Sequence, residues 1–293
     1  MLATIVVPLD GSVLSDRALP FATRLVRATN GRLILVRAGL ARKAWVLDEE
    51  VLTLLAETRR AAVEVAAVAN RLRAEGIVVE TCVRYDDAAG AITDVTHDRQ
   101  ADLIVMSMLG TSGVGRSVYG SVVEGILRQT EVPVLLVPTV CETTWPTSRV
   151  LRVLVPLDGS ALAEAALHPA LALTEALGGE LLLVHMLPAT APAATASAAR
   201  GYLDRVTTDI KHPAPAVSVS ARVAERPTIT AAAQEYGADV IAMTTRGKGL
   251  ARRLAGATAS DVLRRACVPV LAVGPGALAQ ESVSLRAEAL ACR

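Results

Sequence analysis

The chain has 293 residues, with 30 lysines and arginines against 29 aspartates and glutamates, 52% hydrophobic residues and only 2% aromatic ones. At about 150 residues per domain the length predicts two domains, and the apolar content excludes wholesale disorder. A formal charge of +1 offers no steering toward nucleic acid or an anionic membrane, and the lack of aromatics argues against base-stacking platforms.

The first predicted element is a strand near 3–9, which excludes reading Met1 to Asp10 as a signal peptide. It runs into Val7-Pro8-Leu9-Asp10-Gly11-Ser12. A helix near 13–29 follows, and Pro20 inside it predicts a kink, because proline removes a backbone donor. Next come strands and helices in alternation: strand 32–38, helix 46–75, strand 77–84, helix 88–99 and strand 102–107. A glycine-rich loop leads to a helix near 120–130 and a strand near 133–138. Thr139 to Arg149, a polar stretch containing Trp145-Pro146, reads as the boundary of this unit.

The pattern then repeats. Val155-Pro156-Leu157-Asp158-Gly159-Ser160 restates the first motif letter for letter at an offset of 148. Leu181-Leu182-Leu183-Val184 matches Leu33-Ile34-Leu35-Val36 at the same offset. Ala238-Asp239-Val240-Ile241 then matches Ala101-Asp102-Leu103-Ile104 at 137, and Val268-Pro269-Val270-Leu271 matches Val132-Pro133-Val134-Leu135 at 136. The second copy has therefore lost about a dozen residues between its second and fourth strands. Its predicted strands lie near 150–157, 180–187, 216–223, 239–244 and 269–274, and its helices near 161–177, 196–211, 227–236 and 254–266, with Pro169 placed as Pro20 is. The expected domains are 1–140 and 149–275, with 276–293 as a tail that is helical or disordered. Uniformly apolar strands separated by helices predict an α/β fold, a parallel sheet covered on both faces and doubly wound.

No apolar run reaches the roughly 20 residues of a membrane span, so no membrane partner is expected. Cys82, Cys141, Cys267 and Cys292 form no CxxC, and the four histidines do not cluster, so reduced thiols, a cytoplasmic protein and no metal site are expected. His97 is expected to face solvent and His185 to serve packing.

In an open parallel sheet, ligands bind beyond the carboxyl ends of the strands, where strand order reverses. Asp10 ends the first strand there. It either caps the following helix or accepts hydrogen bonds from sugar hydroxyls; Asp158 repeats it. After the fourth strand come Ser107-Met108-Leu109-Gly110-Thr111-Ser112-Gly113-Val114-Gly115-Arg116-Ser117-Val118-Tyr119-Gly120-Ser121. This loop is either a flexible connection or a phosphate cradle. Glycines let backbone amides approach an anion, the helix start at Gly120 and Ser121 favours negative charge, and Arg116 adds a cation. Neither GxxxxGK[ST] nor GxGxxG stands here, which sets aside the Walker and dinucleotide fingerprints.

With the terminal Asp10, the pattern Ser107-x2-Gly110-x9-Gly120-Ser121 and Val132-Pro133-Val134, the chain resembles the universal stress protein family in tandem form, over about residues 1–138 and 150–274. The family pattern is G-x2-G-x9-G-[ST], and Ser107 replaces its first glycine. The resemblance implies two Rossmann-like, adenine nucleotide α-hydrolase-like domains, each a five-stranded parallel sheet of order 3-2-1-4-5. It implies ATP, with Mg²⁺, held on the base side by Pro8, Leu9, Asp10 and Ala38 and on the phosphate side by Ser107, Gly110, Arg116, Gly120 and Ser121. With so few aromatics, adenine would rest on Val36, Met106 and Val122. In the second copy the matching positions are Pro156, Asp158, Met186, Met243 and Thr244-x2-Gly247. There the helix start reads either Gly256-Ala257, with eight intervening residues, or Ala257-Thr258, with nine. The pattern is degraded, though Lys248, Arg252 and Arg253 make the loop basic. The resemblance also implies that the two final strands pair within one chain; a homodimer of whole chains and an unidentified protein partner are further expectations. The expected function is that of a nucleotide-dependent regulator of the stress response with little or no turnover. The alternatives are a slow ATPase on the same fold and a nucleotide-free protein-interaction module.

Overall fold

The computed structural model describes residues 2–38, 48–84, 87–108, 120–141, 144–211, 217–226, 228–245, 257–275 and 277. The first copy runs β1 (Thr4–Pro8), α1 (Val13–Asp16), α2 (Leu19–Thr29), β2 (Arg32–Ala38), α3 (Asp48–Ala74), β3 (Val78–Arg84), α4 (Ala88–Asp98), β4 (Leu103–Ser107), α5 (Ser121–Gln129) and β5 (Val134–Val137). The second runs β6 (Arg152–Leu157), α6 (Ala161–Glu164), α7 (Leu167–Leu177), β7 (Glu180–Met186), α8 (Ala193–Lys211), β8 (Ser218–Ala224), α9 (Ile229–Glu235), β9 (Val240–Thr244), α10 (Ala257–Arg265) and β10 (Val270–Val273).

The single helix expected near 13–29 is two helices. Ser12 caps the short α1, and the chain turns at Arg17–Ala18 before α2 begins, with Pro20 in its first turn. A proline there gives up an amide that has no intrahelical partner anyway, so the outcome is a clean restart instead of the expected kink. The second copy does the same, with Pro169 in the first turn of α7. The helix ends also match: Asn30 and Gly178 close α2 and α7 in the left-handed conformation. Gly31 and Gly179 then pass so close to the carbonyls of Ala3 and Leu151 that a side chain would not fit at either.

All ten strands form one sheet of order β3-β2-β1-β4-β5-β10-β9-β6-β7-β8. Each half is parallel and has the order 3-2-1-4-5. The halves join where β5 and β10 run antiparallel, with Leu135 opposite Leu271, Val134 opposite Ala272 and Leu136 opposite Val270. The final strands thus cover each other's edges within one chain, and the sheet ends only at β3 and β8. Because the seam is antiparallel, the carboxyl ends of the two halves point to opposite edges of the sheet.

The strands alternate their side chains between two cores. Val7, Leu35 and Val105 face the layer made by α2, α3, α7 and α8, whereas Val6, Ile34 and Ile104 face α4, α5, α9 and α10. Both cores continue across the seam, and α2 packs on α7. Among the described residues no helix is long and apolar enough to cross a membrane.

The stretch expected to be a polar boundary is folded onto the first copy. Trp145 is buried edge-on against Phe21, with ring centroids 4.9 Å apart. Arg24 donates to the carbonyls of Trp145 and Pro146, both at 2.9 Å, and Arg17 donates to that of Cys141. Farther along, Arg149 grips Asp239 in a two-pronged ion pair at 2.6 and 2.7 Å.

Candidate functional site

β1 pairs with β4 on one side and β2 on the other, so the carboxyl ends of these three strands meet at the point where strand order reverses. At the end of β1, Asp10 Oδ1 accepts from the Ser12 amide at 2.9 Å and from the Ser12 hydroxyl at 2.6 Å. The Ser12 hydroxyl in turn accepts from the Ser15 amide at 3.1 Å and so caps α1. The cap is therefore Ser12, and Asp10 acts by fixing Ser12 in place. Gly11 adopts φ +78°, and a side chain there would meet the Glu64 carboxylate at 2.9 Å and the Arg37 guanidinium at 3.4 Å. Arg37 also donates to the Leu9 carbonyl at 3.3 Å. Sequence reasoning did not pick out Arg37 and Glu64, because nothing in the spacing of β2 and α3 marks them. Nearby, burial pushes the Asp16 carboxyl above its ordinary range; Arg71 opposes this and the charge of Asp10 adds to it.

Of the base-side positions, Pro8 and Leu9 are buried and Ala38, the last residue of β2, is half-buried. Val36 and Met106 belong to one core, and Val122 packs against it, so these three share a face of the sheet; Val36 is wholly enclosed. On the phosphate side, Ser107 is buried at the end of β4. The Met108 amide donates to the Val137 carbonyl at 3.0 Å, and the Gly120 amide donates to the Met108 carbonyl at 3.1 Å. The two ends of the loop are thereby pinned together beside β5. Gly110 and Arg116 lie outside the described residues. Gly120 is the N-cap of α5 and supplies no side chain to cap it, and Ser121 opens the helix exposed to solvent. By contrast, Ser12, Asp87, Ser160 and Thr228 cap α1, α4, α6 and α9 with side-chain oxygens. Among the described residues no side chain caps the first amides of α5, which is also true of α2 and α7; α5 differs in that its start follows the loop after β4.

The second copy repeats the strand-end turn: Asp158 accepts from the amide and hydroxyl of Ser160, which caps α6, and Gly159 has φ +78°. Its surroundings differ. The Tyr202 hydroxyl donates to Glu164 at 2.7 Å, and Glu164 repeats Asp16 at the offset of 148. Burial raises the Tyr202 phenol well above its ordinary range, and the hydrogen bond to Glu164 and the charges of Glu164 and Asp158 push the same way. His185 lies edge-on to Tyr202, with centroids 5.9 Å apart, in a packing contact. Pro156 and Met186 are half-buried, Asp158 is exposed, and Met243 and Thr244 are buried. Gly247 and Gly256 lie outside the described residues. α10 begins at Ala257, 136 residues after the start of α5, the same offset that separates β10 from β5. This puts Ala257 where Ser121 stands, as in the Gly256-Ala257 alignment, with Thr258 exposed one position on.

The repeated Ala-Asp of the fourth strands was visible as a match but had no assigned role. Asp102 accepts from the amides of Ala3 and Thr4, both at 2.8 Å, and Asp239 accepts from the Arg152 amide at 2.9 Å. Each carboxylate closes the amino end of the first strand in its copy.

The chain is therefore a pair of Rossmann-like, doubly wound domains of the adenine nucleotide α-hydrolase type, joined edge to edge. The model of the universal stress protein family matches it twice, at residues 1–138 and 150–274, and the chain belongs to that family. It is 29% identical over 141 residues to universal stress protein MJ0531 of Methanocaldococcus jannaschii, an alignment covering 45% of this chain and 80% of that protein. Among solved structures it resembles a universal stress protein from Archaeoglobus fulgidus, with TM-score 0.70 and 23% identity over 92% of this chain and 98% of the other. It also resembles the functionally unknown protein PA1789 of Pseudomonas aeruginosa, with TM-score 0.65 and 18% identity over 98% of each chain. At these identities the two structures speak to the fold alone.

Proposed function

We propose that the chain is an ATP-binding regulatory protein of the stress response, acting in the cytoplasm with little or no turnover, and that its first copy is the principal nucleotide site. The carrying observation is the start of α5. Gly120 leaves the first-turn amides without a side-chain cap, directly beside the carboxyl ends of β1 and β4. Orphan amides and the positive end of a helix suit a polyanion.

In this reading Ala38 offers a backbone group to adenine, Met106 and Val122 supply an aliphatic face, and Asp10 accepts from ribose hydroxyls. Ser107, Gly110, Arg116, Gly120 and Ser121 surround the phosphates. Bound ATP would bring its charge as a signal, and Mg²⁺ would enter with it, since that ion keeps water and phosphate oxygens as most of its ligands. The loop Ser107 to Ser121 contains no Asp, Glu or His to serve as a base or to orient water, which supports regulation over catalysis. The second copy, from 149 to 275, takes nucleotide more weakly through Pro156, Asp158, Met186, Met243, Thr244, Gly247 and the Gly256-Ala257-Thr258 helix start, because Ala257 has no hydroxyl where Ser121 has one.

The test begins with protein purified without added nucleotide, heat-extracted, and the supernatant resolved by ion exchange. Intact ATP is expected, at about one per chain, with two per chain showing that the second copy holds it as well. ADP or AMP alone would favour hydrolysis. An empty extract together with no thermal shift on adding ATP and Mg²⁺ would remove the proposal. Gly120→Val should abolish the shift by filling the space at the helix start. Asp10→Ala should weaken binding less, by about tenfold.

A further inference from the structure

At the outer edge of the second copy, a cavity of about 220 Å³ opens between the start of α8, the segment after β7 and the edge strand β8. None of the positions assigned above to nucleotide lines it. The copies differ here in length: α8 has 19 residues where α3 has 27. It is smaller than the roughly 300–1,000 Å³ of pockets that take drug-sized ligands, so it suits something smaller than a nucleotide.

The charges that line it are mainly positive. Arg200 from α8 and Arg222 from β8 line the cavity with one carboxylate, that of Glu225. Among the described residues neither Arg200 nor Glu225 has an ion-pair partner. The Arg222 guanidinium stands over the Tyr236 ring, 5.6 Å from its centroid, a contact that orients the group and leaves its charge in place. A further carboxylate, Glu235, is engaged by Arg226, though it also lies in the field of Arg222. All three charged groups are exposed, and two cations against one carboxylate leave a single positive charge to be met.

The rest of the lining is apolar or backbone. Leu187, Pro188, Ala191 and Ala196 present carbon surface. The Ala224 carbonyl accepts from the Leu187 amide at 3.0 Å, so the peptide groups of Ala224 face β7. By the alternation of a parallel ladder, those of its neighbour Val223 face outward from the edge into this region. The Val223 amide adds a donor beside the two arginines. In the first copy the ladder register puts the buried Cys82 where Arg222 stands.

We propose that this cavity binds a small organic monocarboxylate with an apolar body, its carboxylate between Arg200 and Arg222 and its carbon chain against Leu187, Pro188 and Ala196. Glu225 sets the preference for one negative charge over two. The site is independent of the nucleotide reading.

The probes are hexanoate and benzoate, titrated calorimetrically into the full chain at low salt, with inorganic phosphate and hexanol as controls. Saturable binding of one carboxylate per chain is expected, with no binding of hexanol and weaker binding of phosphate. Arg200→Gln and Arg222→Gln should each weaken it by about tenfold. Ala196→Phe should abolish it by filling the cavity while leaving every charge in place. Glu225→Gln should narrow the gap between phosphate and carboxylate. The proposal is overturned if neither carboxylate binds, if both arginine variants bind as the parent does, or if an oligoglutamate peptide binds where small carboxylates do not. Thermal melts of each variant establish that it is folded. ATP added first should not compete, so a failure of the nucleotide reading leaves this result standing, and the reverse holds too.

Discussion

Asp16 and Glu164 occupy the same place in the two copies and solve the same problem differently. Each is an acid in the short helix behind the strand-end turn. Glu164 accepts from Tyr202, whereas Asp16 relies on the charge of Arg71 and feels that of Asp10. Burial disfavours the ionised carboxylate of Asp16, so its folded pKa lies above its unfolded one. A group raised in this way contributes its full stability below the unfolded pKa and loses it as pH rises through the folded value. At neutral pH the ionised Asp16 therefore costs stability. Asp16→Asn, which keeps the shape and removes the charge, should raise the stability at neutral pH by less than about 1 kcal/mol. The gain should shrink toward zero as the pH falls below the ordinary carboxylate range. Urea unfolding of parent and variant at neutral and acid pH reads this directly, and a variant less stable than the parent at neutral pH would show that Arg71 outweighs burial.

At the scale of elements, the stretch between the copies behaves as part of the first copy's helical layer. Trp145 is one of two tryptophans in the chain and is enclosed against Phe21, with the Arg24 guanidinium 5.9 Å from the centre of its ring. Trp145→Ala should lower stability by about 3–5 kcal/mol through lost burial and the cavity left behind. Chemical denaturation measures this, and a loss below about 1 kcal/mol would mean that the stretch can lift away without disturbing the core. The contact was not legible in the sequence. A lone Trp-Pro in a run of Thr, Ser and Glu carries no periodicity, and its partners lie more than a hundred positions earlier. The inner strands were legible because each is apolar on both faces and bounded by turn residues, the outer β3 and β8 are mixed in polarity, and the strand order followed from the family resemblance. The Asp10-Gly11-Ser12 turn was legible because its bonds are local, all within five residues. Arg37 and Glu64 at that turn, and Tyr202 beside its counterpart in the second copy, escaped notice because they come from other elements, where charge or aromaticity alone has no directional meaning. The break before Pro20 was half legible: proline marks the position, but only the neighbouring turn decides whether the helix bends or starts again.

For the whole molecule, the seam makes the two copies one folding unit. Both cores run through β5 and β10, so removing either copy would expose apolar surface on each face of the other. Gly274, just past β10, carries this coupling into a single position. It passes so close to the Leu127 carbonyl at the end of α5 that a Cβ could not be placed there without moving one copy against the other. Both partners in this contact are backbone, so neither can rotate away. Gly274→Ala should therefore destabilise the chain by about 1–3 kcal/mol, the usual cost of forcing extra volume into a packed contact. The distinguishing feature is where the effect appears. The substituted residue belongs to the second copy, and Trp145 reports on the first. If the copies unfold together, the fluorescence of Trp145, read in a Trp45→Phe background, must shift its midpoint by the same amount as the far-ultraviolet dichroism of the whole chain. If the seam were weak, dichroism would split into two transitions and the fluorescence midpoint would stay where it is in the parent. The antiparallel seam also sends the two strand-end sites to opposite edges of the sheet, so any influence of one on the other must cross the seam, through β5 and β10 or through the helices packed across it. The Val137 and Val273 carbonyls, at the ends of these strands, accept from the amides of Met108 and Thr245, where the two phosphate-side loops begin. A seam variant such as Gly274→Ala should thus disturb both loop anchors at once.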